Sequence, residues 1–217
     1  MGREKTRDLL LDVGKRTFLE RGYANSGIET ILQAAKVPKG SFYYYFESKE
    51  DFGLKVLDRF AESYDEAMNQ SFGDGSLSPI ERFQRYFEGV ADRFDLDQCR
   101  KGCLIGNLSQ ELADHSEAFR VKLEEILQRW VGRYAECLRL AEDLGEIEPI
   151  LPVRDVAELW LSGWQGALLR AKTSRNSTPL RAFLDVMFRH VLRARPPFSV
   201  AAHSPTDPDP CVVGASS

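Results

Sequence analysis

The chain has 217 residues, enough for one large domain or for a small one joined to a larger one. Its 43% hydrophobic and 29% charged residues are ordinary for a soluble globular protein, and no apolar run approaches the roughly 18 residues that would cross a bilayer. The net charge of −4 is unevenly spread: residues 1–49 hold nine Lys/Arg against six Asp/Glu, a balance of +3 that leaves −7 on the remainder. The stretch MGREKTRDLL lacks an apolar segment after its basic residues and does not read as a secretory signal, so a cytoplasmic location is expected.

Strand signals are nearly absent and helical periodicity runs throughout, which predicts an all-α fold of about nine helices. Leu10, Val13, Gly14 and Phe18 form the apolar face of a first helix that Gly22 ends. Ser26 is the expected N-cap of a second helix with Ile28, Ile31, Leu32 and Ala35 on its inner face. Val37-Pro38 makes a turn into a short third helix, anchored by Phe42 and Phe46. Ser48 caps a fourth helix from about Lys49 to Phe72, GDGSLS breaks it, and Pro79 opens a fifth running to about Asp95. A polar link, DQCRKG, leads into a helix over CLIGNLSQELA (103–113). Ser116 caps a long helix reaching about Leu144, and GEIEPILP is a loop. Two more helices follow, from about Val153 to Lys172 and from Pro179 to Arg195. The last 22 residues hold five of the ten prolines without periodicity, so 196–217 is expected to be a disordered tail.

The stretch SGIETILQAAKVPKGSFYYYFESK (26–49) has the form of a helix-turn-helix, which lays its second helix in the DNA major groove. With Phe42 and Phe46 inward, Lys39, Ser41, Tyr43, Tyr44 and Tyr45 fall on or near the exposed arc, and Ser26 is expected among the DNA contacts with them. Hydroxyl and ammonium groups of this kind serve phosphate and base edges. Gly40 removes a side chain where the backbone would approach DNA. Lys49 opens the next helix, where a cation and free N–H groups can share one phosphate. The competing explanation is an aromatic patch for a protein partner, which would show no salt-dependent DNA binding.

Residues 6–52 resemble the N-terminal domain of the TetR family of bacterial repressors, through Gly22-Tyr23, Ser26, Ile31, the Ala35 to Val37 turn, Gly40, Tyr43, Phe46, Ser48 and Lys49. The chain departs from the family pattern at Tyr45, where His is usual, and at Lys36, where Gly is usual. The resemblance implies a helix-turn-helix domain over 1–48 and a helical ligand-binding and dimerisation domain over 49–195. It also implies a homodimer on a double-stranded DNA operator, controlled by a small-molecule inducer and needing no cofactor or membrane. The family's last two helices form the dimer seam. Here they carry two apolar stripes, Trp160, Leu161, Trp164, Ala167 and Leu168, and Phe183, Val186, Met187 and Val191. Those stripes could equally fill the protomer's own core.

Four cysteines, Cys99, Cys103, Cys137 and Cys211, have no second Cys or His pair at zinc-site spacing, so a structural metal site is not expected. Cys103 opens a helix directly after Arg100 and Lys101. A helix N-terminus and two cations favour thiolate, the reactive form, unless the thiol is simply a small buried hydrophobe. GCLIGNLSQEL and GWQGALLRAK (163–172) resemble the N-ethylmaleimide-responsive and acrylate-responsive subgroup of the family. The resemblance places Cys103 at the sensing cysteine and Lys172 at a lysine implicated with it. Asn107, Gln110, Trp164 and Gln165 are polar or amphipathic groups on helices that otherwise read as core, and are candidate pocket residues beside ordinary packing. A cysteine-nucleophile enzyme is the rival reading, with Lys172 as its base.

Overall fold

The computed structural model describes residues 3–195, and among them every regular element is helical. In chain order these are α1 (Arg3–Arg21), α2 (Ile28–Ala35), α3 (Lys39–Tyr45), α4 (Lys49–Phe72), α5 (Pro79–Leu96), α6 (Leu104–Leu112), α7 (Glu117–Asp143), α8 (Val153–Ser174) and α9 (Thr178–Val186). A π-helical turn, Met187–Val191, continues α9. The expected tail, 196–217, and Cys211 lie outside the described residues.

The caps read from sequence hold at α4 and α7. Ser48 accepts from Asp51 N–H at 3.0 Å, and Ser116 accepts from Phe119 N–H at 3.3 Å. Glu81 accepts from Ser78 N–H at 2.9 Å and Pro79 sits in the first turn, fixing the start of α5. The end of the chain differs from the expectation of a helix to Arg195. Regular α-helix stops at Val186, and beyond the π turn Glu148 N–H donates to Leu192 O and Ile150 N–H to Val191 O. Pairing with the 145–152 loop satisfies groups that another helical turn would otherwise have used.

The N-terminal unit packs Leu10, Val13, Phe18, Ile31, Leu32, Phe42 and Phe46 around Phe52 of α4. Gly14 lies where Phe52 crosses α1, and a Cβ there would sit 2.4 Å from the ring edge. Arg59 of α4 forks onto Asp12 at 2.8 and 3.1 Å and reaches Asp8 at 3.3 Å, which ties α1 to the body from outside. The body is built from α4 to α9 around an aromatic cluster of Phe83, Phe87, Tyr134, Trp160, Trp164 and Phe188. The stripe on α8 faces this core: Trp160, Leu161, Trp164, Ala167 and Leu168 are all buried within one protomer. The second stripe splits: Met187 and Val191 are buried, while Val186 stays exposed together with Leu159 and Leu169 of α8.

Candidate DNA-reading face and sensor cavity

α2 and α3 meet through a tight turn in which Lys36 takes the left-handed conformation at φ 55°. Its N–H and that of Val37 return to Gln33 O and Leu32 O, closing α2 in the manner usually given to glycine. Phe42 and Phe46 are fully buried, as their spacing predicts, and they orient the rest of α3 outward. Tyr43 and Tyr44 are 58% and 61% exposed, Lys39 and Gly40 are exposed, and Ser41 and Tyr45 are half-buried. A Cβ on Gly40 would meet nothing within 4 Å. Lys39 lies on this face but is paired at 2.9 Å with Glu29 of α2.

Two residues expected on this face have other uses. Ser26 is neither the cap of α2, a role taken by Gly27, nor exposed. Its hydroxyl is fully buried and donates to Gly22 O, locking the α1–α2 turn. Lys49 points back to that turn. Its ammonium donates to Tyr23 O at 2.8 Å and lies 4.2 Å from the Tyr23 ring centre. Burial there lowers its pKa, and in this arrangement it fastens the turn after α1.

Cys103 is the N-cap residue of α6, reached through Gly102 at φ +71°. It forms the wall of a cavity of about 150 Å³ that is also lined by Asn107, Gln110, Gln165 and Lys172. Gln165 donates to Cys103 Sγ at 3.5 Å, and Asn107 donates to Lys101 O at 3.1 Å, holding the link against α6. Gln165 can lie there because position 106 is glycine: a Cβ would stand 2.4 Å from its Oε1. Sequence reasoning missed Gly106 and the apolar walls Leu168 and Leu169. The glycine's spacing one turn from the cysteine was the available signal. Trp164 does not line this cavity. It is buried against Phe87 and Phe183 because its aromatic face fits the core better than a polar wall.

Of the two alternatives open for the thiol, its surroundings favour the small buried hydrophobe. N–H groups of Ile105 and Gly106 at the start of α6, together with Gln165, favour the thiolate, but desolvation outweighs them and burial pushes the Cys103 thiol up. Arg100 is exposed and exerts no visible pull. Cys99 is buried as well, bonded to Asp95 at 3.6 Å and pushed up to about 11 by burial first and that carboxylate second. Cys137 is buried against Pro79 O and pushed up to about 12.

At its other end α6 grips the N-terminal unit. Glu111 accepts from Tyr23 N–H at 2.9 Å and from Ala24 N–H at 2.6 Å, both in the turn that follows α1. One short helix thus carries the cysteine at its start and the clasp on the DNA-reading unit near its end.

Comparison with known proteins agrees with this arrangement. Residues 10–54 match the family described as Bacterial regulatory proteins, tetR family, and residues 79–187 match the Tetracyclin repressor-like, C-terminal domain. The chain is 40% identical over 192 residues to the HTH-type transcriptional repressor DhaR of Mycobacterium sp. (strain GP1), spanning 88% of this chain and 95% of that one.

The chain belongs to the TetR family of transcriptional regulators. Within it, the HTH-type transcriptional repressor NemR of Escherichia coli (strain K12) is 33% identical over 184 residues, covering 81% of this chain and 88% of NemR. The crystal structure of E. coli NemR in its reduced form superposes with a TM-score of 0.78 over 86% of this chain and 97% of that one, at 29% identity. A regulatory protein TetR from Rhodobacter sphaeroides gives a TM-score of 0.80 at 36% identity, covering 85% of this chain and 97% of that one. The TetR-like fold, an N-terminal helix-turn-helix domain on a helical C-terminal domain, is therefore shared along almost the whole described chain. Among the described residues no helix is long and apolar enough to cross a membrane, and no group of three or more metal-ligating side chains forms.

Proposed function

We propose that this TetR-family regulator is a homodimeric repressor of a roughly palindromic operator, working in the cytoplasm. A small electrophile or unsaturated acid that reaches Cys103 releases it. The reading face is Tyr43 and Tyr44 with Lys39, Gly40 and Ser41. Two copies of α3 enter successive major grooves. The sensor is the cavity of Cys103, Asn107, Gln110, Gln165 and Lys172. The observation that carries the reading is α6 itself, with the thiol at its N-cap and Glu111 holding the turn between α1 and α2.

In the covalent form of the switch, the Cys103 thiolate adds to the terminal carbon of an activated alkene. The S–C bond forms, the alkene π pair moves to the neighbouring carbon, and that carbon takes up a proton. The added atoms enter a space of about 150 Å³ beside α6. Displacing the helix start shifts Glu111 and alters the set of the reading unit on the body. Regulation needs only that the modified state disfavour the DNA-bound packing by roughly 1–3 kcal/mol. A noncovalent ligand in the same polar-lined cavity is the second reading, favoured by the buried, raised thiol. An enzyme would need a base at the thiol. Of the residues lining the cavity, Lys172 alone is available, and turnover of the electrophile would identify that case.

The test is a gel shift with DNA upstream of the chain's own gene, using wild type and Cys103→Ser, each with and without N-ethylmaleimide. Release of DNA from wild type alone supports repressor and cysteine switch together. Release from both variants, or from neither, rejects the covalent switch. Failure to bind any upstream DNA in a salt-dependent manner rejects the assigned reading face.

A further inference from the structure

Cys103, Gly102 and Leu168 also border a second, larger cavity of about 390 Å³, between α1, α4 and α5. Its floor is apolar, from the buried Phe60, Val90, Phe94 and Leu168. Its rim carries Lys15 and Arg16 of α1, Arg93 of α5 and Lys101 of the α5–α6 link, against a single carboxylate, Asp97. Among the described residues none of these four cations has a side-chain hydrogen bond or close ion pair; Lys15 and Arg16 lie within Coulombic reach of Asp12, which Arg59 already forks. Elsewhere on α4 and α5 several cations are matched: Lys55 with Asp51, Arg59 with Asp12 and Arg85 with Asp74. Four positive charges converging from three elements onto one rim carboxylate leave a net excess that repels itself, and an anion between Arg93 and Lys101 would relieve that repulsion. Tyr64 adds a hydroxyl at the same cavity. Burial pushes its phenol up, so it stays a neutral donor toward an anionic oxygen.

We propose that this cavity binds an organic carboxylate with an apolar body, its carboxylate held by Arg93, Lys101 and Lys15 and its body on Phe60, Val90 and Phe94. The volume lies in the range of ordinary ligand pockets. It is well above the 150 Å³ of the first cavity, so the occupant is larger than a few-atom electrophile. Because α1 supplies part of the rim, the bound acid would bridge the DNA-reading unit and the body directly. The binding site stands independently of any covalent chemistry at Cys103. Only its effect on DNA rests on the repressor reading.

Calorimetric titration with 3-phenylpropanoate tests the site, with 3-phenylpropanamide as the neutral isostere. Both are saturated and cannot alkylate a thiol. The acid should bind saturably, less well as salt rises, and the amide should bind at least about tenfold more weakly. Arg93→Gln and Lys101→Gln should each weaken the acid about tenfold with unchanged melting behaviour. Arg139→Gln, an equal charge loss on α7 away from the cavity, should not. Equal binding of acid and amide, no saturable binding of the acid, or equal losses in Arg139→Gln would overturn the proposal. If the acid fails to bind while Arg93→Gln weakens operator binding, the cations serve DNA phosphate and the proposal likewise falls. Since the titration contains no DNA and no electrophile, its outcome is separate from that of the N-ethylmaleimide gel shift.

Discussion

Removing Glu111 isolates the link between the sensor helix and the reading unit. Its two carboxylate oxygens take separate N–H groups, Tyr23 at 2.9 Å and Ala24 at 2.6 Å. Hydrogen bonds to a charged acceptor are each worth about 1.5–3 kcal/mol net. Ala24 is exposed and water can replace its bond, so that one counts for little, while Tyr23 is half-buried and retains most of its value. The Glu111 charge also supports Lys49, which holds Tyr23 O from the other side. Glu111→Gln keeps one acceptor but presents an amide N–H to the second backbone donor. The expected loss at the turn is about 1.5–3 kcal/mol for Glu111→Ala and less for Glu111→Gln, whose amide oxygen can still accept from Tyr23 N–H. Amide hydrogen exchange reads this directly. Tyr23 should exchange roughly 10- to 100-fold faster in Glu111→Ala, while amides in the buried stretch of α8 around Trp160 are unchanged. In gel shifts the variants should still bind operator but lose most of the response to modification at Cys103. Unchanged exchange at Tyr23, or a full response in Glu111→Ala, would refute the clasp as the route from cavity to reading unit.

Glu29→Gln should free Lys39 from its ion pair and remove a negative charge beside the reading face. Operator affinity should rise, and the slope of log affinity against log salt should steepen by about 0.9 if Lys39 then takes one phosphate. An unchanged slope would mean that Lys39 never meets DNA. Lys36→Gly relieves a left-handed residue at φ 55° and should raise unfolding stability by about 0.5–1 kcal/mol in urea melts; a loss would show that the side chain supports the turn. For the buried thiols the sign of the pH effect is fixed. Cys99, Cys103 and Cys137 are all raised in the fold, so they remain protonated where the unfolded chain ionises, near 9.0. Their contribution to stability is full below that pH and is lost as pH rises above it. Urea midpoints should therefore fall between pH 8 and 10, and a flat profile would contradict it. Alkylation of Cys103, followed by peptide mass spectrometry, should accelerate throughout pH 7–9 and slow in Gln165→Ala, which loses a donor to sulfur. A rate already level at pH 7 would indicate a depressed thiol.

The chain's local order was legible from its residues. Helix positions, the caps Ser48 and Ser116, the Pro79 start and the inward turn of Phe42 and Phe46 all depend on groups within about four positions of each other. The reading face follows from the same spacing, since burying two phenylalanines leaves Tyr43 and Tyr44 outside. Five of the six expected cavity residues also come together, because α6 and α8 each present one face to the other.

Long-range packing decided the rest. Ser26 has the composition of a cap, yet its hydroxyl goes to Gly22 O four residues back, and it is the packing of the surrounding helices that buries this local bond. Lys49 and Tyr23 are 26 positions apart, and Glu111 and Tyr23 are 88 apart, so no local pattern announces either bond. Trp164 carried both polar and apolar possibilities, and Phe87 and Phe183 settled it for the core. The thiol of Cys103 shows the division most clearly. Its place at a helix N-terminus is a local fact that favours ionisation. Its protonation is set by how much water the neighbouring helices exclude, and that depends on their assembled surfaces. Sequence alone therefore determined the helices, most of their ends and the side of α3 that faces outward. Tertiary structure decided which polar groups lose their water, because desolvation is a property of the whole packed neighbourhood.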